Sequence, residues 1–381
     1  MPKNTLKLGI IGGGLDSTVG RAHHIAAQMD GRFRIVAGCF SQNSDSNIAT
    51  ARSLDVPESR AYGFWKEFLE NERDKIDAVL LLTPTPLHAE MAIFALENKV
   101  PVISEKALCV SSDEAREIRS ARDKNKGYVA IIYNYSAYPM VRELQGIIRD
   151  GRIGIPTHIA AEMPQEGFLR LVGIENKKPS PQSWRLRDNF VPMVSLDLGV
   201  HLHHLIYFLT DQTPLEVSAM EQKQGHFKEI VDNVQCLAQY TSELSVQMWY
   251  GKTALGYANG LRIRIFGTKG SAEWLQMNPE NLLISDFYGN TTITSRSANT
   301  SKICNQDRYN RFKAGHPAGF IEALANYYYD LADSLEFYLK MKSPSLNRMI
   351  GGLDEAQNGL FLLEAIAKSA KQKVWVKVKN E

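Results

Sequence analysis

The sequence predicts an α/β protein in two parts: a doubly wound parallel sheet first, then a region of closely spaced strands in antiparallel connection. Three observations carry this. Strand-like and helix-like segments alternate over the first 133 residues. The strands there are continuous apolar runs rather than alternations, the mark of strands buried on both faces. After about residue 150 the strand-like segments crowd together with Gly and Asn between them, as in a meander.

The elements follow in order. "LKLGIIG" reads as a buried strand, "VGRAHHIAAQMD" as a helix and "FRIVAGCF" as a second strand. "SNIATARSLD" and "FWKEFLENERD" read as helices, "IDAVLLLT" as a buried strand, "PLHAEMAIFALENK" as a helix and "VPVIS" as a strand. "SSDEAREIRSARDKN" is a helix with Ser111 or Ser112 as its cap and acids in its first turn. "GYVAIIYN" closes the alternating part, and β/α alternation of this length predicts the doubly wound sheet. In the second part, "PTHIAAEMP", "LEVSAMEQK", "VDNVQCLAQYT", "LSVQMWYGK", "LRIRIFGTKG", "SAEWLQM" and "NLLISDF" are strand-like. Two helices, near 319–340 and 352–370, follow. The stretch 289–316 is the most irregular and reads as a mobile loop or an arm reaching a partner subunit.

A chain of 381 residues is comfortable for two domains, here 1–133 and 134–381. Apolar residues make up 44% and charged residues 23%, and the net charge of +2 argues against a nucleic-acid binder working by bulk charge. Cys39, Cys109, Cys236 and Cys304 form no C-x-x-C pair, as expected of a reduced chain. No apolar run reaches the roughly 18–20 residues of a membrane helix, and no secretory leader is evident, so a cytoplasmic protein without membrane contact is expected.

Three short stretches carry chemistry. In "GGGLDSTVG", Gly12 and Gly14 fit the tight turn and close approach of a dinucleotide loop. Ser17 stands where G-x-G-x-x-G wants its third glycine, and Gly20 arrives three residues late. Gly20 takes that role if the residues before it bulge out. Ser17 and Thr18 then suit a helix cap with hydroxyls toward phosphates or ribose, and Asp16 should point away from the phosphates. The second strand ends without an acid at its tip, so both NAD and NADP remain open, with Ser41 able to bond either. In "VISEKALC", Glu105 and Lys106 stand just past a buried strand, where ligands of open parallel sheets sit; a solvated surface pair is the alternative. In "DLGVHLHHL", Asp197 and His201 share a helix face with His204 on the same side. An acid there orients an imidazole or bonds substrate while the ring trades a proton. Ordinary helix packing is the bland reading. D-x-x-x-H-x-x-H is not a recognised zinc spacing, and no metal is expected.

Taken together, the glycine loop, "TPTPLH", "SEKA" and "DLGVH", in that order and separation, resemble the Gfo/Idh/MocA family. The resemblance covers nearly the whole chain. It implies an N-terminal Rossmann domain and a C-terminal α/β domain with a large, mostly antiparallel sheet. It also implies NAD(P)-dependent dehydrogenation of sugars or cyclitols, and a homodimer or homotetramer formed through that sheet. By position, Lys106, Asp197 and His201 match the family's catalytic set. Thr83, Pro84 and His88 match the loop lining the cofactor, and Glu105 and Asn134 match positions near the nicotinamide ribose. Trp184 and Arg185 match a pair near the substrate pocket. Ala107 departs from the family's usual proline, and the run before Asp197 lacks its usual glycines. Two rival functions remain: a non-catalytic nucleotide- or sugar-binding regulator, and a dehydrogenase of nucleotide-linked or acidic sugars using Arg170, Arg185 and Arg187.

Overall fold

The computed structural model describes residues 4–313, 315–343 and 346–379. The chain divides into two compact units. One holds the described residues up to Ala137 together with those of Phe320–Gln357; the other holds Tyr138–Gly319 and the described residues from Asn358 on.

The first unit opens with β1 (Leu6–Gly12), α1 (Thr18–Gln28), β2 (Phe33–Cys39), α2 (Ser44–Ser53), α3 (Trp65–Glu72), β3 (Ala78–Leu82) and α4 (His88–Glu97). It continues through β4 (Val102–Glu105), α5 (Ser112–Asn125) and β5 (Val129–Ile132). These strands run parallel in the order β5-β4-β3-β1-β2. Leu8, Ile10, Leu80, Ile103 and Ala130 are fully buried, which is why their strands read as unbroken apolar runs. The order reverses at β1, so β1 and its neighbours open the crevice in which doubly wound sheets take ligands. Ser111 caps α5 by accepting from Glu114 N, and Lys126 ends it in a left-handed conformation.

The second unit contains α6 (Pro139–Arg149), β6 (Pro156–Pro164), α7 (Val200–Thr210), β7 (Pro214–Gln222), β8 (Asn233–Tyr240) and β9 (Ser245–Gly251). A meander of β10 (Arg262–Gly267), β11 (Gly270–Leu275), β12 (Asn281–Asp286) and β13 (Thr291–Ser295) follows. The sheet order is β13-β12-β11-β10-β6-β9-β8-β7, antiparallel except between β6 and β9. Alternation is plain in β8: Val234, Cys236 and Ala238 are buried while Gln235 and Leu237 face out.

The chain then builds α8 (Phe320–Met341), β14 (Gly351–Gly352), α9 (Leu353–Gln372) and β15 (Val376–Lys377). β14 adds an antiparallel edge beside β5, and β15 adds one beside β7. Sequence grouped α8 with the second part, yet it packs in the first unit. Arg32 pairs with Asp333 at 2.7 Å and Glu336 at 3.1 Å, and the Tyr327 hydroxyl donates to Ile131 O. The stretch 289–316 also differs from expectation. Its start is β13, and the Glu143 carboxylate accepts from the backbone N–H of Lys302, Ile303 and Cys304. Buried Arg296 bonds Glu280, Asn310 and the carbonyls of Tyr309 and His316. The stretch is therefore tied into the second unit rather than loose; residue 314 lies outside the described residues. All four cysteines are free thiols and buried. Among the described residues no helix is long and apolar enough to cross a membrane.

Candidate active site

The nucleotide half lies along one edge of the parallel sheet. Gly12 ends β1, Ser41 follows β2, Thr83 and Pro84 follow β3, Glu105 ends β4 with Lys106 next, and Asn134 follows β5. Every expected cofactor residue past a strand thus stands at a carboxyl end, the end at which such sheets bind ligands.

The loop after β1 is built on close approach. Gly12 and Gly13 have positive φ values of 83° and 68°, open to glycine at little cost. A Cβ on Gly20 would meet Gly13 O at 2.3 Å. Gly20 therefore performs the helix-on-strand packing expected of the third glycine. Ser17 N donates to Gly14 O at 2.8 Å, closing a turn, and Ser17 Oγ caps α1 by accepting from Gly20 N at 3.0 Å. Thr18 is the first helical residue. The insertion before Gly20 is thus a closed turn added ahead of the helix.

Two features of this half fit a dinucleotide. The cradle admits no side chain at Gly12, whose Cβ would lie 2.8 Å from Leu82 O. Asn134 is buried, and its Nδ2 has no hydrogen-bond partner in the protein; a buried donor without a partner is costly unless a ligand meets it.

The surroundings of Lys106 are anchored from below. His23 on α1 is 2% exposed. Its Nδ1 lies 2.6 Å from the Tyr328 hydroxyl, and its Nε2 lies 3.1 Å from Glu105 Oε1. The other oxygen of Glu105 accepts from Lys106 N at 3.1 Å. Both ring nitrogens of His23 are thus engaged, one by the tyrosine hydroxyl and one by the carboxylate. The Lys106–Ala107 peptide bond is cis. His88 sits behind this layer. Its ring nitrogens face Ala107 O at 2.8 Å and Thr83 O at 2.7 Å, and burial pulls its pKa down. It stands between the loops after β3 and β4, and its single N–H in the neutral ring can donate to one of these two carbonyls. At the β2 end, Asn47 Oδ1 accepts from Phe40 N at 2.8 Å and Ser41 N at 3.3 Å, holding the strand tip.

The second unit carries the other expected groups. Ser195–Gly199 form one π-helical turn ahead of α7, and Asp197 is on it. Such turns recur at functional sites. The turn is seated on β9: Ser195 Oγ is 3.0 Å from the Tyr250 hydroxyl, and a Cβ on Gly199 would be 3.0 Å from the Tyr250 ring and from Leu363. Asp197 Oδ2 receives Arg185 Nη1 at 2.9 Å and Lys252 Nζ at 2.7 Å. The carboxylate is 15% exposed and Lys252 14%, so this pairing is far better sheltered than an ordinary surface ion pair. The Arg185 guanidinium also covers the Trp184 ring at 4.4 Å. His201 follows Asp197 by one turn and is buried. His204, expected on the substrate side, is buried as well and stacks on Phe208 at 6.0 Å. Arg170 pairs with Glu166 at 2.8 Å in an exposed position, and Arg187 is exposed.

Sequence reasoning missed Lys252, His23, Tyr328 and Asn47. Each acts through a contact distant in sequence or through a buried side chain in an ordinary helix. Only the lysine one residue past a strand end offered any signal, and that signal is weak. Among the described residues no group of three or more His, Cys, Asp or Glu side chains is placed to hold a metal.

Comparison with known proteins places the chain in a family. Residues 6–133 match the oxidoreductase family with an NAD-binding Rossmann fold, and residues 141–273 match the GFO/IDH/MocA C-terminal domain. The uncharacterized oxidoreductase YfiI of Bacillus subtilis is 28% identical over 386 residues, spanning 98% of this chain and 97% of its own. An oxidoreductase from Sinorhizobium meliloti superposes with a TM-score of 0.84 at 27% identity, over 98% of this chain and 100% of the other. An inositol dehydrogenase homolog from Azotobacter vinelandii, solved with NADH and myo-inositol, superposes with a TM-score of 0.87 over 98% of both chains. At 24% identity that likeness speaks for the fold.

Proposed function

The chain belongs to the Gfo/Idh/MocA family of oxidoreductases, and from that premise we propose that it interconverts a secondary alcohol and a ketone on a sugar or an inositol-like cyclitol, with NAD(P) as its partner. The observation that carries the reading is Asp197, fixed by Arg185 and Lys252 on a π turn one helical turn before His201. A sheltered carboxylate of this kind accepts hydrogen bonds from substrate hydroxyls or orients an imidazole.

When bound in the first unit's cradle, a nicotinamide cofactor would supply the hydride chemistry. The chain's own residues handle the proton and the geometry. Lys106 or His201 takes the hydroxyl proton, and the other steadies the oxyanion that develops. Trp184 and Arg185 line the substrate, His204 backs it, and Lys106 also touches it. Gly12, Gly14 and Gly20 bring backbone close to the pyrophosphate, with Ser17 and Thr18 beside it. Ser41, Thr83, Pro84, Glu105 and Asn134 flank the riboses and the nicotinamide, with His88 fixing the loops behind them. Association is proposed through the outer face of the large sheet. Support comes from Leu237, Met220, Phe266 and Ile293, apolar side chains that are 52%, 47%, 41% and 69% exposed on that face.

Steady-state kinetics of Lys106→Ala and His201→Ala across a panel of polyols tests the assignment. Each substitution should lower kcat by about 100-fold or more, the usual scale of acid–base catalysis. Near-normal turnover in both variants would overturn the roles given to them.

A further inference from the structure

We infer that Asp16 selects NAD over NADP, standing in for the acid that is missing at the tip of β2. The inference rests on the dinucleotide reading of the first unit. In a doubly wound sheet an acid at the end of the second strand normally bonds the 2′-hydroxyl of the adenine ribose, and its charge repels a 2′-phosphate. Here β2 ends at Cys39 and runs on through Phe40, Ser41, Gln42 and Asn43, with no carboxylate.

The turn inserted before Gly20 reaches this same corner. Leu15 N donates to Thr50 Oγ1 on α2 at 3.2 Å, and Ser46 Oγ on α2 donates to Asp16 Oδ2 at 3.4 Å. A Cβ on Gly14 would lie 3.2 Å from Phe40 O, so the loop rests directly on the chain leaving β2. Asp16 is itself exposed, with its carboxylate beside the first turn of α2. That turn is capped by Asn43, whose Oδ1 accepts from Ser46 N at 2.9 Å, and it already carries Asp45. No Lys or Arg stands between Phe40 and Ala51, and the next, Arg52, is paired with Glu58 at 2.7 Å. The corner therefore offers a carboxylate and hydroxyls to a ribose diol, and the chain leaving β2 carries no Lys or Arg of its own up to Ala51 for a 2′-phosphate.

Titrating the intact protein with NADH and with NADPH, read by nicotinamide fluorescence, tests this without turnover. Wild type should bind NADH about tenfold or more tighter than NADPH, a difference of roughly one charge contact. Asp16→Asn and Asp16→Ser should shrink that ratio severalfold, mainly by tightening NADPH, while Asp45→Asn leaves it nearly unchanged. An unchanged ratio in both Asp16 variants, or a wild type that prefers NADPH, would overturn the assignment. Failure of wild type to bind either nucleotide would instead remove the dinucleotide reading, and the inference with it.

Discussion

Glu221 and His24 pull the pH dependence of stability in opposite directions. Glu221 on β7 is raised to about 7 by burial and by the nearby Asp188 charge, and its Oε1 has no hydrogen-bond partner. Its folded pKa lies above the unfolded value, so the stability it allows is complete below about 4.5 and is lost as pH rises toward 7. His24 is lowered to about 4 by burial and by the neighbouring His23. The unfolded chain therefore takes up its proton first, and stability is lost as pH falls from about 6.5 toward 4. Glu221→Gln should raise Tm at pH 8, equivalent to about 1–2 kcal/mol after allowing for partial exposure, and change little near pH 4.5. Thermal melts at the two pH values check this; an equal effect at both would contradict it. At this scale the sequence was informative only where residues cluster. Asp197 and His201 stand four apart and Glu105 adjoins Lys106, so both pairs were legible. Lys252 reaches Asp197 from 55 positions away in sequence, and His23 and Tyr328 meet across two helices. Contacts of that kind leave no local pattern.

Among the elements, the β1–α1 loop shows most clearly how spacing and packing separate. The sequence placed a glycine three residues late, and the structure shows why it still serves: the added turn is closed by Ser17 and Gly14, and Gly20 then meets Gly13 as the third glycine should. Gly20→Ala would drive a methyl against Gly13 O, so it should cost about 1–3 kcal/mol and weaken NADH binding together with Tm. If the variant kept both its Tm and its NADH affinity, the helix would have room that this packing denies. The helix expected over Asp197 and His201 is partly a π turn instead. Sequence periodicity does not reveal such a turn, because one extra residue leaves both side chains on nearly the same face. The irregular stretch 289–316 escaped for another reason: its order comes from Glu143 and Arg296 side chains bonding backbone groups, and its own composition is that of a loop.

For the whole chain, burial on two faces was readable as continuous apolar runs, and the second sheet as closely spaced strand-like segments with Gly and Asn between them, which is why the two sheets could be told apart. The parallel pairing of β6 with β9 and the return of α8 to the first unit depend on long connections, which strand patterns do not encode. The fold and family leave one claim central: that the chain moves a hydride between a polyol carbon and nicotinamide. Incubating the protein with NAD+ and a panel of sugars and cyclitols deuterated at their carbinol carbons, then weighing the reduced cofactor by mass spectrometry, tests it most directly. The account predicts reduced nicotinamide carrying one transferred deuterium with at least one polyol, lost in Lys106→Ala or His201→Ala. Binding of NAD+ with no deuterated cofactor from any polyol would contradict it.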